Sequence, residues 1–345
     1  MPLCLQHPTV RVAALPSWHP LMLGEIGAVT AGLMGAVAFG AGDFAGSQGS
    51  LRLNGVAAVG VAQLVAAATA VAVLGASGGS IPEGQQLVLA LLAGTFHVIA
   101  VFYIYQGMAR GMVSVVAPVA GVTGIALPVL ADMLFFEMSG LIHCIGIALA
   151  IAAIVLISQS PAQDNERSQV RFSIRFGLIS GLCFGLADLF LGLMTPATAE
   201  GGLAAARLMG ASLAIGLLCV STRGTARITA SPGSISPLVT TGPARHFGFP
   251  DLAGHVSQAL SLQHLDNRAM QGLLLCALAG LLDCIGQLGY VLSATQGQMS
   301  IAAALVAIYP AVSIGLAVWL LKERIGPLQL TGLAASFGSI VLLSQ

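Results

Sequence analysis

Residues 111–158 and 297–344 are two copies of one segment. At an offset of 186 the same residue stands at Gly111 and Gly297, Ser114 and Ser300, Glu137 and Glu323, Gly140 and Gly326, Gly146 and Gly332, and Ser158 and Ser344. An earlier stretch repeats at an offset of 145, where Gly32-Leu33, Phe39-Gly40 and Asp43 return as Gly177-Leu178, Phe184-Gly185 and Asp188. A duplicated chain is expected to fold as two like halves, with any shared site where the halves meet. The repeated unit is apolar. The chain is 57% hydrophobic and only 8% charged, against about 25% charged in soluble domains. Its apolar runs exceed the roughly 18 residues that separate a spanning helix from a buried core helix. These features predict a polytopic membrane protein. The net charge of zero gives no footing for nucleic acid.

Ten spans are predicted, at about 26–48, 54–75, 87–108, 112–135 and 140–158, then 174–194, 202–221, 271–294, 298–321 and 327–344. The first 25 residues, with Pro2, Pro8, Pro16 and Pro20, read as an irregular tail without a cleavable leader. A polar linker at 159–173 divides a first repeat (26–158) from a second (174–345). The offsets of 186 and 145 differ by 41 residues, so the second half carries an insertion of about that size. It falls in the loop 222–270, rich in Ser, Thr, Pro, Gly and His. Five helices per repeat turn the halves over relative to each other. The expected fold class is therefore all-α, with ten transmembrane helices in two inverted five-helix repeats. Glycine occurs 43 times, in patterns such as Gly42 and Gly46, which let helices approach closely in lipid. Every Lys and Arg except Arg11 and Arg207 follows an odd-numbered span, which places those loops in the cytoplasm and both termini outside.

Charged residues inside spans are the candidate site. An Asp at the centre of a spanning helix costs about 2.5–3.5 kcal/mol to insert, so it requires a cavity, a partner or a proton. Asp43 and Asp188 occupy matched positions on the first helix of each half, suited to proton coupling or solute contact, or to structural bonding at a helix end. His97 and Asp283 are counterparts at the 186 offset on the third helices, and mates near a symmetry axis can meet as a titratable pair. Arg207 is placed either to clamp an anionic group of the substrate or to neutralise Asp188 as an ion pair. Gln287 and Tyr290 follow Asp283 at i+4 and i+7, on one helical face, and read as a cavity wall. Tyr103 and Tyr105 offer aromatic walls with polar tips, or interfacial anchors. Glu137 and Glu323 lie where the fifth and tenth helices begin and are expected to cap them. Pro118 and Pro310 are expected to break the fourth and ninth helices. The cysteines lack metal-ligand spacing, and neither a Walker lysine nor a GxSxG elbow is found.

The stretch FYIYQGMARGMVSVVAPVAG at 102–121 resembles the junction of the third and fourth helices in the EamA family of the drug/metabolite transporter (DMT) superfamily. The terminal segment 289–344 resembles that family's last helices more closely: a Pro-containing helix, the turn Lys322-Glu323-Arg324 and a Gly-rich final helix. AFGAGDFAG at 38–46 is similar to its first helix. The first-half turn Phe136-Glu137-Met138 departs from the pattern in lacking the basic residue. The resemblance implies a transporter, not an enzyme, in which both termini are usually cytoplasmic, against the charge count above.

The sequence is thus expected to encode a multi-pass cell-membrane (plasma or inner-membrane) protein. Its expected function is secondary active transport of small metabolites by alternating access, coupled to protons, with export favoured by the resemblance. An uncoupled uptake facilitator for a solute such as a sugar, and a membrane-embedded enzyme acting on lipids, are the alternatives. The expected partners are a small-molecule substrate and the lipid bilayer, with a homodimer left open. No nucleic acid, cofactor or metal is expected.

Overall fold

The computed structural model describes residues 25–135, 141–158, 164–195, 198–229, 267–296 and 309–343. Among them there is no strand. The helices are α1 (Glu25–Ser50), α2 (Gly55–Ser77), α3 (Gly84–Arg110), α4 (Val113–Phe135), α5 (Leu141–Ser158), α6 (Asp164–Gly192), α7 (Ala199–Thr229), α8 (Asn267–Gln296), α9 (Tyr309–Leu316) and α10 (Pro327–Leu343). Lipid offers backbone groups no hydrogen-bond partner, so a spanning segment must satisfy its own, and the helix does this within one segment. Five helices among the described residues are long and apolar enough to cross a membrane: Gly55–Ser77, Gly84–Arg110, Arg167–Leu191, Glu200–Val220 and Asn267–Tyr290. Their outer faces carry large exposed apolar side chains, among them Leu64, Val88, Leu182 and Leu274. In a molecule this apolar those faces are the lipid-contacting surface.

Local chemistry sets the helix ends. Asn54 caps α2 by accepting from the Ala57 amide at 2.9 Å, and Gly78, with φ of 68°, ends it by donating to the Leu74 carbonyl. Helix α6 begins at Asp164, inside the polar stretch that separates the predicted spans. Helix α7 likewise runs to Thr229, while 230–266 lie outside the described residues, as do 298–308 of the ninth predicted span. Helix α4 passes through Pro118 without a break. The break expected at Pro310 falls at the edge of the described residues, which resume at Tyr309, and the helix that follows is interrupted after Leu316 by a single π-helical turn at Ala317–Leu321. Lys322 closes that turn in the left-handed conformation (φ 58°).

Glu323, next in the chain, does not cap the helix it precedes. Its Oε1 accepts from the Ser114 amide at 3.1 Å and from the Ser114 hydroxyl, so it caps the start of α4. The expectation that Glu323 serves the tenth helix is corrected: the π turn directs the carboxylate across to the other half. Glu137 lies outside the described residues. Beside this junction the Ser173 hydroxyl of α6 accepts from the Met112 amide at 2.8 Å.

The helix neighbours follow a regular plan. Helix α1 packs on α8 as α6 packs on α3; α4 packs on α6 as α9 packs on α1; α3 packs on α7 as α2 packs on α8; and α2–α7 and α5–α10 pair directly. Exchanging α1–α5 for α6–α10 maps this set onto itself. Small residues permit the closest of these contacts. Gly35, Gly42 and Gly49, spaced by seven, line the α1 face toward α8. A methyl group at Gly42 would stand 3.3 Å from the Ala279 carbonyl, and one at Gly35 would stand 3.1 Å from that of Gly286. Without a hydrophobic drive between helices in lipid, this close packing holds them together. It also brings α1 directly against the Asp283 backbone.

Candidate transport site

Three helices converge on one ionic cluster. Asp283 of α8 accepts from Arg207 of α7, with its Oδ2 2.6 Å from a guanidinium nitrogen. The same oxygen lies 3.4 Å from Nε2 of His97 on α3, and His97 Nε2 also meets the Arg207 guanidinium. The Arg207 side chain is 3% exposed, His97 13% and Asp283 17%. The arginine is thus sealed while its carboxylate partner retains an opening. Phe184 of α6 presents its ring to His97 at 5.4 Å between centroids, in an edge-on arrangement.

Backbone packing explains why Arg207 arrives here. Gly94 of α3 lies directly on the backbone of Ala206, where a side chain would strike the Ala206 carbonyl. That contact fixes α7 against α3. The next residue, Arg207, is then delivered to His97, one turn beyond Gly94. The ion pair foreseen with Asp188 is therefore corrected: Arg207 bonds Asp283. Helices α6 and α7 touch only slightly, and Asp188 acts on Arg207 and Asp283 through space. A buried pair of this kind is worth little against an apolar replacement, but losing one partner leaves an uncompensated charge.

The remaining candidates arrange themselves around the cluster in different ways. Asp43 of α1 is half-buried and interacts electrostatically with Asp283, while Asp188 of α6 is exposed. Tyr105 is buried, with its ring flat against Gly46 and within electrostatic reach of Asp43, Asp283 and Arg207. Gln287 is buried one turn after Asp283, and Tyr290, half-buried, faces Asp188 electrostatically. Tyr103 is placed differently. It packs on Phe102 and on Phe176 of α6, at 5.6 and 5.3 Å between centroids, as part of an aromatic group that includes Phe172. Its described contacts are those of a packing residue.

Two residues were not foreseen. Tyr309 opens α9 and lies within electrostatic reach of both Asp43 and Asp188. Its carbonyl abuts Gly40. Gln63 of α2 is buried, with its Oε1 unpartnered. Gly280 of α8 lies on the backbone of Ala62 as Gly94 of α3 lies on that of Ala206, so Gln63 and Arg207, each next after the contacted alanine, are equivalent positions; the 145 offset sets Gln63 against Leu208 instead and so conceals this. Among the described residues no group of three His, Cys, Asp or Glu side chains is placed to hold a metal ion.

Apolar helices long enough to cross a membrane surround the buried arginine, histidine and aspartate, and ionisable residues in such a setting are candidate functional groups. Residues 252–345 match the model of the EamA-like transporter family, a family of the drug/metabolite transporter superfamily. The match covers the segment where the terminal-helix resemblance was read; the similar stretches at 38–46 and 102–121 fall outside it. No curated protein gives a significant match to the chain.

Proposed function

We propose that this protein is a secondary active transporter that carries a small metabolite through a cell membrane by alternating access, coupled to protons and working as an exporter. The observation that carries the reading is the Arg207–Asp283–His97 cluster, drawn from helices of both halves and buried inside an apolar bundle. Residues 26–158 and 174–345 act as the two inverted repeats, joined through 159–173, with 222–270 as a polar insertion. Asp43 and Asp188 flank the cluster from the first helix of each repeat. Rocking of one repeat against the other changes which of them faces the open side. Each then exchanges protons with a different compartment, and the imposed proton gradient drives the solute the other way.

The His97–Asp283 pair and the matched aspartates supply the titratable groups. The glycine contacts of α1 with α8 supply smooth surfaces along which the halves can shift. The Ser114–Glu323 contact closes one junction between halves in the observed state. The reading is tested with purified protein in proteoliposomes, measuring flux of a broad radiolabelled metabolite panel with and without an imposed pH gradient. Asp43→Asn and Asp188→Asn should each abolish gradient-driven flux while the protein remains monodisperse. Flux insensitive to the gradient in the wild type would establish an uncoupled facilitator, and no flux of any solute would remove the transporter reading.

A further inference from the structure

The outer side of α6 changes chemistry along its length. On its inner side, Ser173 accepts from the Met112 amide beside the end of α3, and Ser180 donates to the Ala100 carbonyl of α3. Gly177 and Gly181 lie against the backbone of Val116 and Ala120 in α4. A helix turns about 100° per residue, which puts Arg171, Arg175, Ile179 and Leu182 on the side away from both neighbours. All four are exposed. Arg167, one turn before Arg171, is exposed next to them. A single helix face thus passes from lipid-contacting aliphatic side chains to arginines.

The depth of the change matches a bilayer boundary. About 20 helical residues fill the roughly 30 Å hydrocarbon core. Counted back from the end of α6 at Gly192, they reach Ser173, between the two inner arginines. The headgroup layer beyond is about 5–8 Å thick, and one helical turn rises about 5.4 Å. Arg171 and Arg175 therefore both reach that layer, Arg175 by extending its stem outward from the core edge. Arg110, exposed at the end of α3, stands at the same level, because the neighbouring Gly111 abuts Phe172 and Ser173. Among the described residues neither Arg171 nor Arg175 has a carboxylate partner, whereas Arg167 already makes an interaction of its own. The segments 78–83 and 193–198, which join helices at the other end of the bundle, contain one charged residue, Glu83.

We propose that Arg171 and Arg175 form a docking ridge for the headgroups of anionic phospholipids, with Arg110 adding to the positive potential around it. Each guanidinium forks two N–H donors onto the oxygens of a phosphate. The charge of an anionic headgroup is left whole for this contact, whereas a zwitterionic headgroup offsets its phosphate with its own ammonium. The partner is a lipid and not a soluble anion, because the ridge runs directly into Ile179 and Leu182, which the acyl chains of the same lipid cover. Docking sets the depth of α6 in the bilayer. Through Ser173 and Gly177 it also sets the depth of the junction between α3 and α4. The inference needs α6 to span a membrane and is independent of what the protein carries.

The test titrates the full chain, purified in detergent, with phosphatidylglycerol or phosphatidylcholine of matched acyl chains and follows bound lipid by native mass spectrometry. The wild type should bind phosphatidylglycerol more tightly. That preference should shrink between about 0.1 M and about 1 M salt, as the screening length falls from about 10 Å to about 3 Å. One arginine at a headgroup contributes about fivefold in affinity. Arg171→Gln with Arg175→Gln should therefore raise the Kd of the first phosphatidylglycerol roughly twenty-five-fold, and Arg171→Lys with Arg175→Lys should retain most of the binding. Lys322→Gln with Arg324→Gln removes the same charge elsewhere at this end and should change the Kd far less. Neither inorganic phosphate nor polyglutamate at equal concentration should displace the lipid. The assignment is overturned by equal binding of the two lipids to the wild type, by a preference indifferent to salt, or by equal losses in the two glutamine pairs. Displacement by phosphate overturns it in favour of a soluble anion, and displacement by polyglutamate in favour of an acidic protein. The wild-type measurements decide the matter by themselves if a variant does not insert.

Discussion

Asp283→Asn isolates the electrostatic core of the site from its transport role. The substitution keeps the side-chain volume and one acceptor oxygen but removes the negative charge 2.6 Å from the Arg207 guanidinium. Arg207 is 3% exposed, so water cannot replace the lost partner, and the other polar group described at its guanidinium is His97. Breaking a buried ion pair on one side costs about 3–5 kcal/mol, chiefly from the charge left behind. The expected loss for Asp283→Asn falls in that range. Removing the arginine too should return much of it, so Asp283→Asn with Arg207→Gln should be about 1–3 kcal/mol less destabilised than the two single losses added together. The assay is thermal unfolding of detergent-purified protein followed by size-exclusion chromatography, for the wild type, both single variants and the double variant. Asp283→Asn unfolding at the wild-type temperature, or a double variant equal to the sum of the singles, would refute the argument that Asp283 holds Arg207.

Three further expectations concern packing and capping. Gly94→Ala and Gly280→Ala each set a methyl group against a facing backbone carbonyl, where overpacking costs about 1–3 kcal/mol; Gly75→Ala in α2, with nothing near it, should be stabilising by about 0.5–1 kcal/mol. The same unfolding assay ranks them, and equal effects at Gly94 and Gly75 would contradict the close approach of α3 and α7. Glu323→Ala removes the acceptor at the start of α4 and should cost about 0.5–2 kcal/mol, with Glu323→Gln losing less; if Ser114→Ala adds its full effect on top of Glu323→Ala, the two are not bonded. Phe176→Ala removes the main neighbour of Tyr103 and should lower stability by about 3–5 kcal/mol with little change in KM of the surviving protein, whereas a KM rise of tenfold would return Tyr103 to the solute site.

Hydropathy placed the helices well. The predicted span 54–75 became Gly55–Ser77 and 112–135 became Val113–Phe135, because segment length and apolarity are what lipid selects. The polar boundaries were harder to read. Helix α6 begins at Asp164 and not near 174, since hydropathy marks where the apolar layer ends and not where the backbone hydrogen bonding of a helix ends. The duplication carried more specific information. It named His97 and Asp283 as counterparts, and the structure sets them 3.4 Å apart.

Sequence alone therefore determined that the chain is apolar, helical and duplicated, and which residues are equivalent where the two copies keep a clear offset, as His97 and Asp283 do, because periodicity and composition are properties of each segment. It left the facing partner of each charged residue undetermined. The tertiary structure decided that Arg207 bonds Asp283 and not Asp188, that Glu323 caps α4 and not α10, and that Gln63 is the equivalent of Arg207. Those outcomes depend on how each helix is rotated and on which neighbour it touches. In lipid that rotation is set by contacts such as Gly94 on Ala206 and Gly280 on Ala62, where the absence of a side chain lets one backbone rest on another and so directs the next residue inward.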